Sequence, residues 1–151
     1  MFYLMRHAEA SWAANTDQDR QLTERGRQDV LQLVLRHQCD LQTIQKIVCS
    51  PYLRTRQTAQ IIAASIGIEK LVFEGRLTPE NSVKSAVTAL EEHWCEHLLV
   101  VTHQPLIGCL INYLEHADNS SCQPVSPASI YSYAMEWPGP GCGLRESLFA
   151  V

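Results

Sequence analysis

The feature that most constrains the fold of this chain is the alternation of short apolar runs with longer amphipathic stretches. Four runs rich in β-branched or aromatic residues have the length of buried strands, at residues 1–5, 44–49, 71–73 and 98–102. Strands that alternate with helices favour a mostly parallel sheet covered by helices on both faces. We therefore expect an α/β protein with a three-layer α/β/α arrangement.

The stretches between and after these runs carry helical spacing of apolar residues. Helices are expected after Thr23, over 55–66 with a stop at Gly67, over 82–94 and over 106–114. Residues 115–126 are polar and have no period, which indicates a loop. The segment SIYSYAMEW then alternates as a strand does, PGPGCG makes a turn, and LRESLFAV can return antiparallel. These last segments predict an antiparallel hairpin at the C-terminal edge of the sheet.

Length and composition limit the classes of protein that fit. The 151 residues are 46% hydrophobic and 19% charged, which predicts one globular domain over residues 1–151. A formal net charge of -4 argues against nucleic acid or an anionic membrane surface as a partner. No window is apolar enough for a membrane span, and the apolar start is too short for a signal peptide. We expect a cytoplasmic protein whose oligomeric state the sequence leaves open.

The six cysteines agree with a reducing compartment. They lie at positions 39, 49, 95, 109, 122 and 142, and no two of them have the C-x-x-C spacing of a zinc or redox site. Several stand inside apolar runs, where cysteine packs as a small hydrophobic residue. Free, buried thiols are therefore expected rather than disulfides.

The polar residues that could carry out chemistry lie at or shortly after the ends of three predicted strands. Arg6 and His7 follow the first, Arg54 comes five residues after Cys49, and His103 follows Thr102. Open α/β sheets place their ligand sites at the carboxyl ends of strands. Each residue alone is more often a surface or core residue than a catalytic one, but three strand ends with the same chemistry predict a shared site.

These residue types suit the transfer of a phosphoryl group. Two arginines offer planar forks of donors that match phosphate oxygens. Their charge disfavours the imidazolium form of a neighbouring histidine, which leaves a ring nitrogen free to attack phosphorus. His7 is the predicted nucleophile, and Arg6, Arg54 and His103 are the predicted phosphate-binding donors. This chemistry requires no metal and no cofactor.

The segments MRHAEA, SPYLRTRQTA and VTHQPLIG resemble the motifs of the histidine phosphatase superfamily, most closely its short bacterial branch of phosphohistidine phosphatases. The resemblance extends through RQLTERG, LTPE and PASI, and so covers nearly the whole chain. It implies a phosphoglycerate mutase-like fold, a phosphorylated His7, and a phosphate pocket made by Arg6, Arg54 and His103. It also implies a phosphoprotein partner such as a phosphorylated histidine phosphotransfer domain of a two-component relay.

Two positions depart from the family pattern. Ala8 replaces the glycine of R-H-G, so the backbone there must avoid positive φ. The acidic proton donor of larger members has no clear counterpart, and Glu80 and Glu74 are the nearest carboxylates. A missing donor favours a P–N substrate, because imidazole is an easier leaving group than an alcohol. The short chain also leaves little room for a lid, which suits a phosphohistidine presented by another protein.

Two other functions fit the same residues. The first is a small-molecule phosphomonoesterase that uses Glu80 as its acid. The second is a module that binds a phosphoprotein without turnover, although a binding module has no need of a nucleophile.

Overall fold

The computed structural model describes all 151 residues and contains one six-stranded sheet. The strands are β1 (Phe2–Arg6), β2 (Lys46–Cys49), β3 (Leu71–Phe73), β4 (Leu98–Thr102), β5 (Ile130–Ala134) and β6 (Leu144–Phe149). Their order is β3-β2-β4-β1-β5-β6. The first four are parallel to one another, β5 is antiparallel to β1, and β6 is antiparallel to β5. The predicted sheet and its antiparallel edge hairpin are confirmed.

The helices are α1 (Glu24–Arg36), α2 (Gln38–Leu41), α3 (Leu53–Ile66), α4 (Val83–His93) and α5 (Leu106–His116). Thr23 caps α1 by accepting a hydrogen bond from the amide of Gly26 at 2.9 Å, and Gly67 ends α3 in a left-handed conformation. A Cβ on Gly26 would collide with the backbone of Glu9, so this glycine lets α1 start directly against the segment that follows β1. None of the helices combines the length and apolar character needed to cross a membrane.

Alternate residues of the central strand β4 face two separate cores, as the two-residue period of a strand requires. Leu99 and Val101 pack with buried residues of α1 and α3, whereas Leu98 and Val100 pack with buried residues of α4 and α5. The sheet therefore lies between two helical layers. Burial on both faces explains why β4 is apolar along its whole length.

The cysteines differ from the prediction of free, buried thiols. Cys109 of α5 and Cys122 of the following loop form a disulfide, and Cys39 and Cys142 are exposed; only Cys49 is a free, fully buried thiol. The physical reason for the disulfide lies at Gly108, where a Cβ would collide with the backbone carbonyl of Gln123. The loop backbone lies directly on α5 there, which brings the two sulfur atoms together.

The strand order places the predicted site residues at one edge. β4 lies between β1 and β2, with Arg6 in register with Thr102 and Cys49 in register with Val101. The three chain segments that leave these strands therefore emerge side by side at the carboxyl edge of the sheet.

Candidate active site

The four predicted site residues meet at the carboxyl edge of the sheet. Arg6 ends β1, His7 follows it, Arg54 lies in the first turn of α3, and His103 follows β4. Nε of Arg54 donates to Nε2 of His7 at 3.2 Å, and the rings of His7 and His103 meet edge to face with centroids 5.1 Å apart. His7 is 7%, Arg54 3% and His103 1% exposed, whereas Arg6 is partly exposed.

The backbone fixes the tautomer of His7. Its Nδ1 lies 2.7 Å from the carbonyl oxygen of Ala8, which can only accept a hydrogen bond, so Nδ1 carries the proton and Nε2 carries a lone pair. The amide of Ala8 in turn donates to the hydroxyl of Thr58 at 3.2 Å. Ala8 is not among the residues with positive φ, so the methyl group is accommodated without strain, as the sequence requires. Nε2 is thus the ring nitrogen that carries a lone pair.

Both histidines are held neutral. Burial, followed by the charges of Arg54 and Arg6, lowers the pKa of His7 to about 3, although the hydrogen bond to Ala8 opposes the shift. Burial, followed by His7 and the same arginines, lowers the pKa of His103 to about 2. A neutral ring leaves Nε2 of His7 unprotonated throughout the physiological pH range, where it accepts the hydrogen bond from Nε of Arg54.

Arg6 connects the site to the loop between α5 and β5. Its Nη1 donates to the carbonyl oxygen of Val125, while its Nε is buried with no hydrogen-bond partner. Nδ1 of His103 is likewise buried and unpartnered. Burial and the charge of Arg54 lower the pKa of Arg6, as expected where two cations converge. Unsatisfied buried nitrogens next to a neutral histidine and two arginines are typical of a site that binds an anion.

Sequence reasoning missed Asp17 and Arg20, which lie in the loop between β1 and α1. Oδ2 of Asp17 accepts from Nη2 of Arg54 at 2.9 Å, and Oδ1 accepts from Nη1 of Arg20 at 3.1 Å. Arg20 is close enough for its charge to lower the pKa of both His7 and His103. Arg20 begins the RQLTERG segment, and the resemblance of this segment to the family was the one sequence feature that could have indicated a residue of the site. The open pocket expected from chain length is therefore partly covered by this loop.

The two carboxylates considered as proton donors have different surroundings. Glu74 is paired with Arg76 at 2.7 Å and with His93 at 3.1 Å, and the bonds from Arg76 above all lower the pKa of Glu74 to about 2. Glu80 accepts from the hydroxyl of Tyr52 at 3.1 Å, and the Tyr52 ring packs against that of His103. Partial burial raises the pKa of Glu80, but hydrogen bonds outweigh it and leave the pKa below its usual value. Glu80 therefore borders the site, whereas Glu74 is engaged elsewhere.

A cavity of about 760 Å³ lies between α4 and α5. None of the four predicted site residues lines it. The chemistry places the site at the Arg-His cluster, because only there do a nucleophile and unpaired donors converge. No group of three or more His, Cys, Asp or Glu side chains is arranged to hold a metal ion.

A neutral histidine that contacts an arginine, with unpartnered buried nitrogens beside it at the carboxyl edge of an α/β sheet, is typical of a phosphoryl-transfer site. The sequence profile of the histidine phosphatase superfamily (branch 1) matches residues 2–78, half of the chain, and includes three of the four site residues. The chain belongs to this superfamily, and it is a SixA-like phosphatase.

The chain is similar over most of its length to SixA proteins. It is 30% identical over 142 residues to the phosphohistidine phosphatase SixA homolog of Haemophilus influenzae, which covers 85% of this chain and 84% of the relative. The structure of the protein histidine phosphatase SixA complexed with tungstate superposes with a TM-score of 0.85, at 23% identity, over 99% of this chain and 96% of the other. That superposition confirms the phosphoglycerate mutase-like fold.

A second relative is a longer protein than this chain. The probable phosphoglycerate mutase GpmB of Shigella dysenteriae is 34% identical over 107 residues, which cover 64% of this chain and 48% of that protein. The chain thus spans about half the length of this relative.

Proposed function

We propose that this protein is a cytoplasmic phosphohistidine phosphatase that acts on a phosphohistidine carried by another protein, such as a histidine phosphotransfer domain of a two-component relay. The observation that supports it most is the tautomer of His7, whose Nδ1–H bonds to the Ala8 carbonyl and whose Nε2 lone pair faces Arg54. Arg6, Arg54 and His103 are proposed to bind the phosphoryl group around this nucleophile.

The reaction proceeds in two displacements at phosphorus. The substrate imidazole first takes a proton from solvent on its other ring nitrogen. Nε2 of His7 then forms a bond to phosphorus as the P–N bond of the substrate breaks, and the substrate ring leaves as a neutral imidazole. Nδ1 of His7 keeps its proton, which it donates in a hydrogen bond to the Ala8 carbonyl oxygen. The phosphorylated ring therefore carries a positive charge and is itself a good leaving group. Water then attacks phosphorus, inorganic phosphate leaves, and the neutral ring is restored.

The arginines supply most of the rate enhancement. A loose phosphoryl transition state spreads negative charge over the equatorial oxygens, where fixed donors stabilise it. In the resting site the Nε–H of Arg54 occupies the Nε2 lone pair of His7. We infer that an arriving phosphoryl oxygen takes over this hydrogen bond, which frees the lone pair at the moment that the electrophile is in place.

The state of the carboxylates favours a P–N substrate. Glu80 has a lowered pKa and is ionised at neutral pH, and Glu74 is committed to Arg76 and His93. Neither is well suited to protonate an alcohol leaving group of high pKa. An imidazole leaving group, with an ordinary pKa of about 6.5, makes a much smaller demand on such a donor.

A small-molecule phosphomonoesterase is the second candidate, because Glu80 reaches the site through Tyr52 and its ring contact with His103. If Glu80 is the acid, Glu80→Gln lowers turnover of phosphomonoesters sharply. If the proposal is correct, this variant dephosphorylates phosphohistidine protein at nearly the wild-type rate.

The deciding experiment measures phosphate release from a phosphorylated histidine phosphotransfer domain, with wild type and His7→Ala side by side and a panel of phosphorylated metabolites in parallel. We expect rapid release only from the phosphoprotein and only with wild type. Faster turnover of a metabolite would favour the phosphomonoesterase. Stable association without phosphate release would favour a binding module.

A further inference from the structure

Ser50 contacts Nε2 of His103, the ring nitrogen other than the unpartnered Nδ1. Ser50 follows β2 directly and is wholly buried. Its Oγ lies 2.7 Å from Nε2 of His103. The direction of this hydrogen bond determines which nitrogen of the ring carries the proton, because a neutral imidazole has one donor and one acceptor.

The hydrogen bonds around Ser50 decide that direction. The amide of Tyr52 donates to Oγ at 3.4 Å, so one acceptor position of the hydroxyl is already used. The hydroxyl proton has Nε2 of His103 as its one acceptor. If Nε2 carried the proton and donated instead, both the hydroxyl proton of Ser50 and the lone pair on Nδ1 of His103 would be buried without a partner, which is unfavourable. The favoured arrangement therefore has Ser50 donating and the His103 proton on Nδ1.

We propose that Ser50 is a positioning residue that holds His103 as the Nδ1–H tautomer, so that His103 donates to the phosphoryl group. In the other tautomer, Nδ1 would turn a lone pair toward the phosphoryl oxygens and repel them. Only four buried side-chain polar atoms in this chain lack a partner, and Nδ1 of His103 and Nε of Arg6 are two of them. Both belong to the site, which is where donors reserved for an anion are expected. The inference rests on the proposed phosphoryl-transfer function.

The tautomer is measurable without any substrate. Two-bond ¹H–¹⁵N correlation spectra of the free protein, with His103 assigned by its substitution, distinguish the two neutral forms. We expect Nδ1–H in wild type and a mixture or the Nε2–H form in Ser50→Ala. An Nε2–H form in wild type overturns the inference even if the protein is an active phosphatase.

A double-mutant cycle then tests whether Ser50 acts through His103. With phosphoramidate as a small P–N probe, Ser50→Ala is expected to lower kcat on the order of tenfold, less than the roughly 10²–10³ of losing a direct donor, with little change in KM. In a His103→Ala background the same substitution should have no further effect, and independent, additive losses would refute the role. Ser132→Ala removes another buried serine hydroxyl, from β5, and serves as the matched control.

A conservative variant separates hydrogen bonding from packing. Ser50→Thr keeps a hydroxyl donor and should retain both the Nδ1–H tautomer and most of the activity, whereas a threonine variant that is folded and as slow as the alanine variant contradicts the proposal. If wild type does not turn over phosphoramidate or phosphoprotein, the proposed function fails while the spectra still report on the tautomer.

Discussion

Removal of the Arg54 fork is the perturbation whose cost the structure defines best. Of the five N–H donors of a guanidinium, Nε bonds to His7, and Nη1 and Nη2 each give one to Asp17. Two donors remain for a phosphoryl group, and the Nε donor joins them when substrate arrives. A bidentate contact uses two of these donors, and at roughly 1.5–3 kcal/mol for each bond to a charged group its loss costs about 3–6 kcal/mol. Arg54→Ala is therefore expected to lower kcat/KM by about 10²–10⁴-fold, at or above the range seen for loss of one oxyanion donor.

The assay is phosphate release from phosphorylated histidine protein, with thermal unfolding as a check on the fold. Stability should change little through the lost ion pair, because the Asp17 side chain is 51% exposed and such pairs contribute about 0–1 kcal/mol. Arg54→Lys keeps the charge without the planar pair of donors, so its kcat/KM should exceed that of Arg54→Ala by at most about tenfold. Arg56→Ala removes an exposed arginine of the same helix and is the control. A negligible change in Arg54→Ala, or full recovery with lysine, refutes the role assigned to the fork.

Three further outcomes are expected. Asp17→Asn removes the negative charge beside Arg54, the proposed phosphate-binding arginine. The inhibition constant of inorganic phosphate should therefore fall several-fold, which corresponds to about 1 kcal/mol or less. Weaker binding would mean that the Asp17 charge holds Arg54 in place. The lowered pKa values of His7 and His103 mean that the unfolded chain binds protons that the folded chain does not, so the free energy of unfolding should fall as pH drops below about 6.5. Denaturation between pH 7 and 5 measures this, and an unchanged stability would contradict the neutral, buried rings. Reduction of the Cys109–Cys122 disulfide should lower the free energy of unfolding by about 3 kcal/mol, as for a closed loop of about 15 residues, and the Cys109→Ser variant should lose this sensitivity to reductant.

The sheet and the proximity of the four candidate site residues could be predicted because their determinants are local. A buried parallel strand such as β4 is apolar along its whole length, and Leu98–Thr102 was predicted with its observed bounds. Arg6, His7 and His103 stand at the ends of such strands, where topology alone brings them together. Arg54 lies near them because it is in the first turn of the helix that follows β2.

The residues that were missed depend on how distant segments meet. Asp17 reaches Arg54 only because the loop before α1 returns across the edge of the sheet, and nothing in its neighbourhood of the sequence records that path. Cys109 and Cys122 are 13 residues apart with no motif between them, so their pairing depends on the loop that lies against Gly108. The short helix α2 has too few residues to show a helical period.

The role of Ser50 illustrates a different limit. Its position at the end of β2 is visible in the sequence, but the direction of one hydrogen bond decides its function. That direction follows from counting the donors and acceptors around one hydroxyl, which requires the three-dimensional contacts with Tyr52 and His103.

The central claim is that Nε2 of His7 becomes covalently phosphorylated during turnover. Rapid acid-free quench of wild type with phosphorylated histidine protein, followed by peptide mapping under conditions that preserve P–N bonds, tests it most directly. The account predicts a transient, acid-labile phosphate on His7, and neither phosphorylation nor turnover in His7→Ala. Undiminished turnover by His7→Ala, or phosphate found on a different residue during turnover, would contradict it.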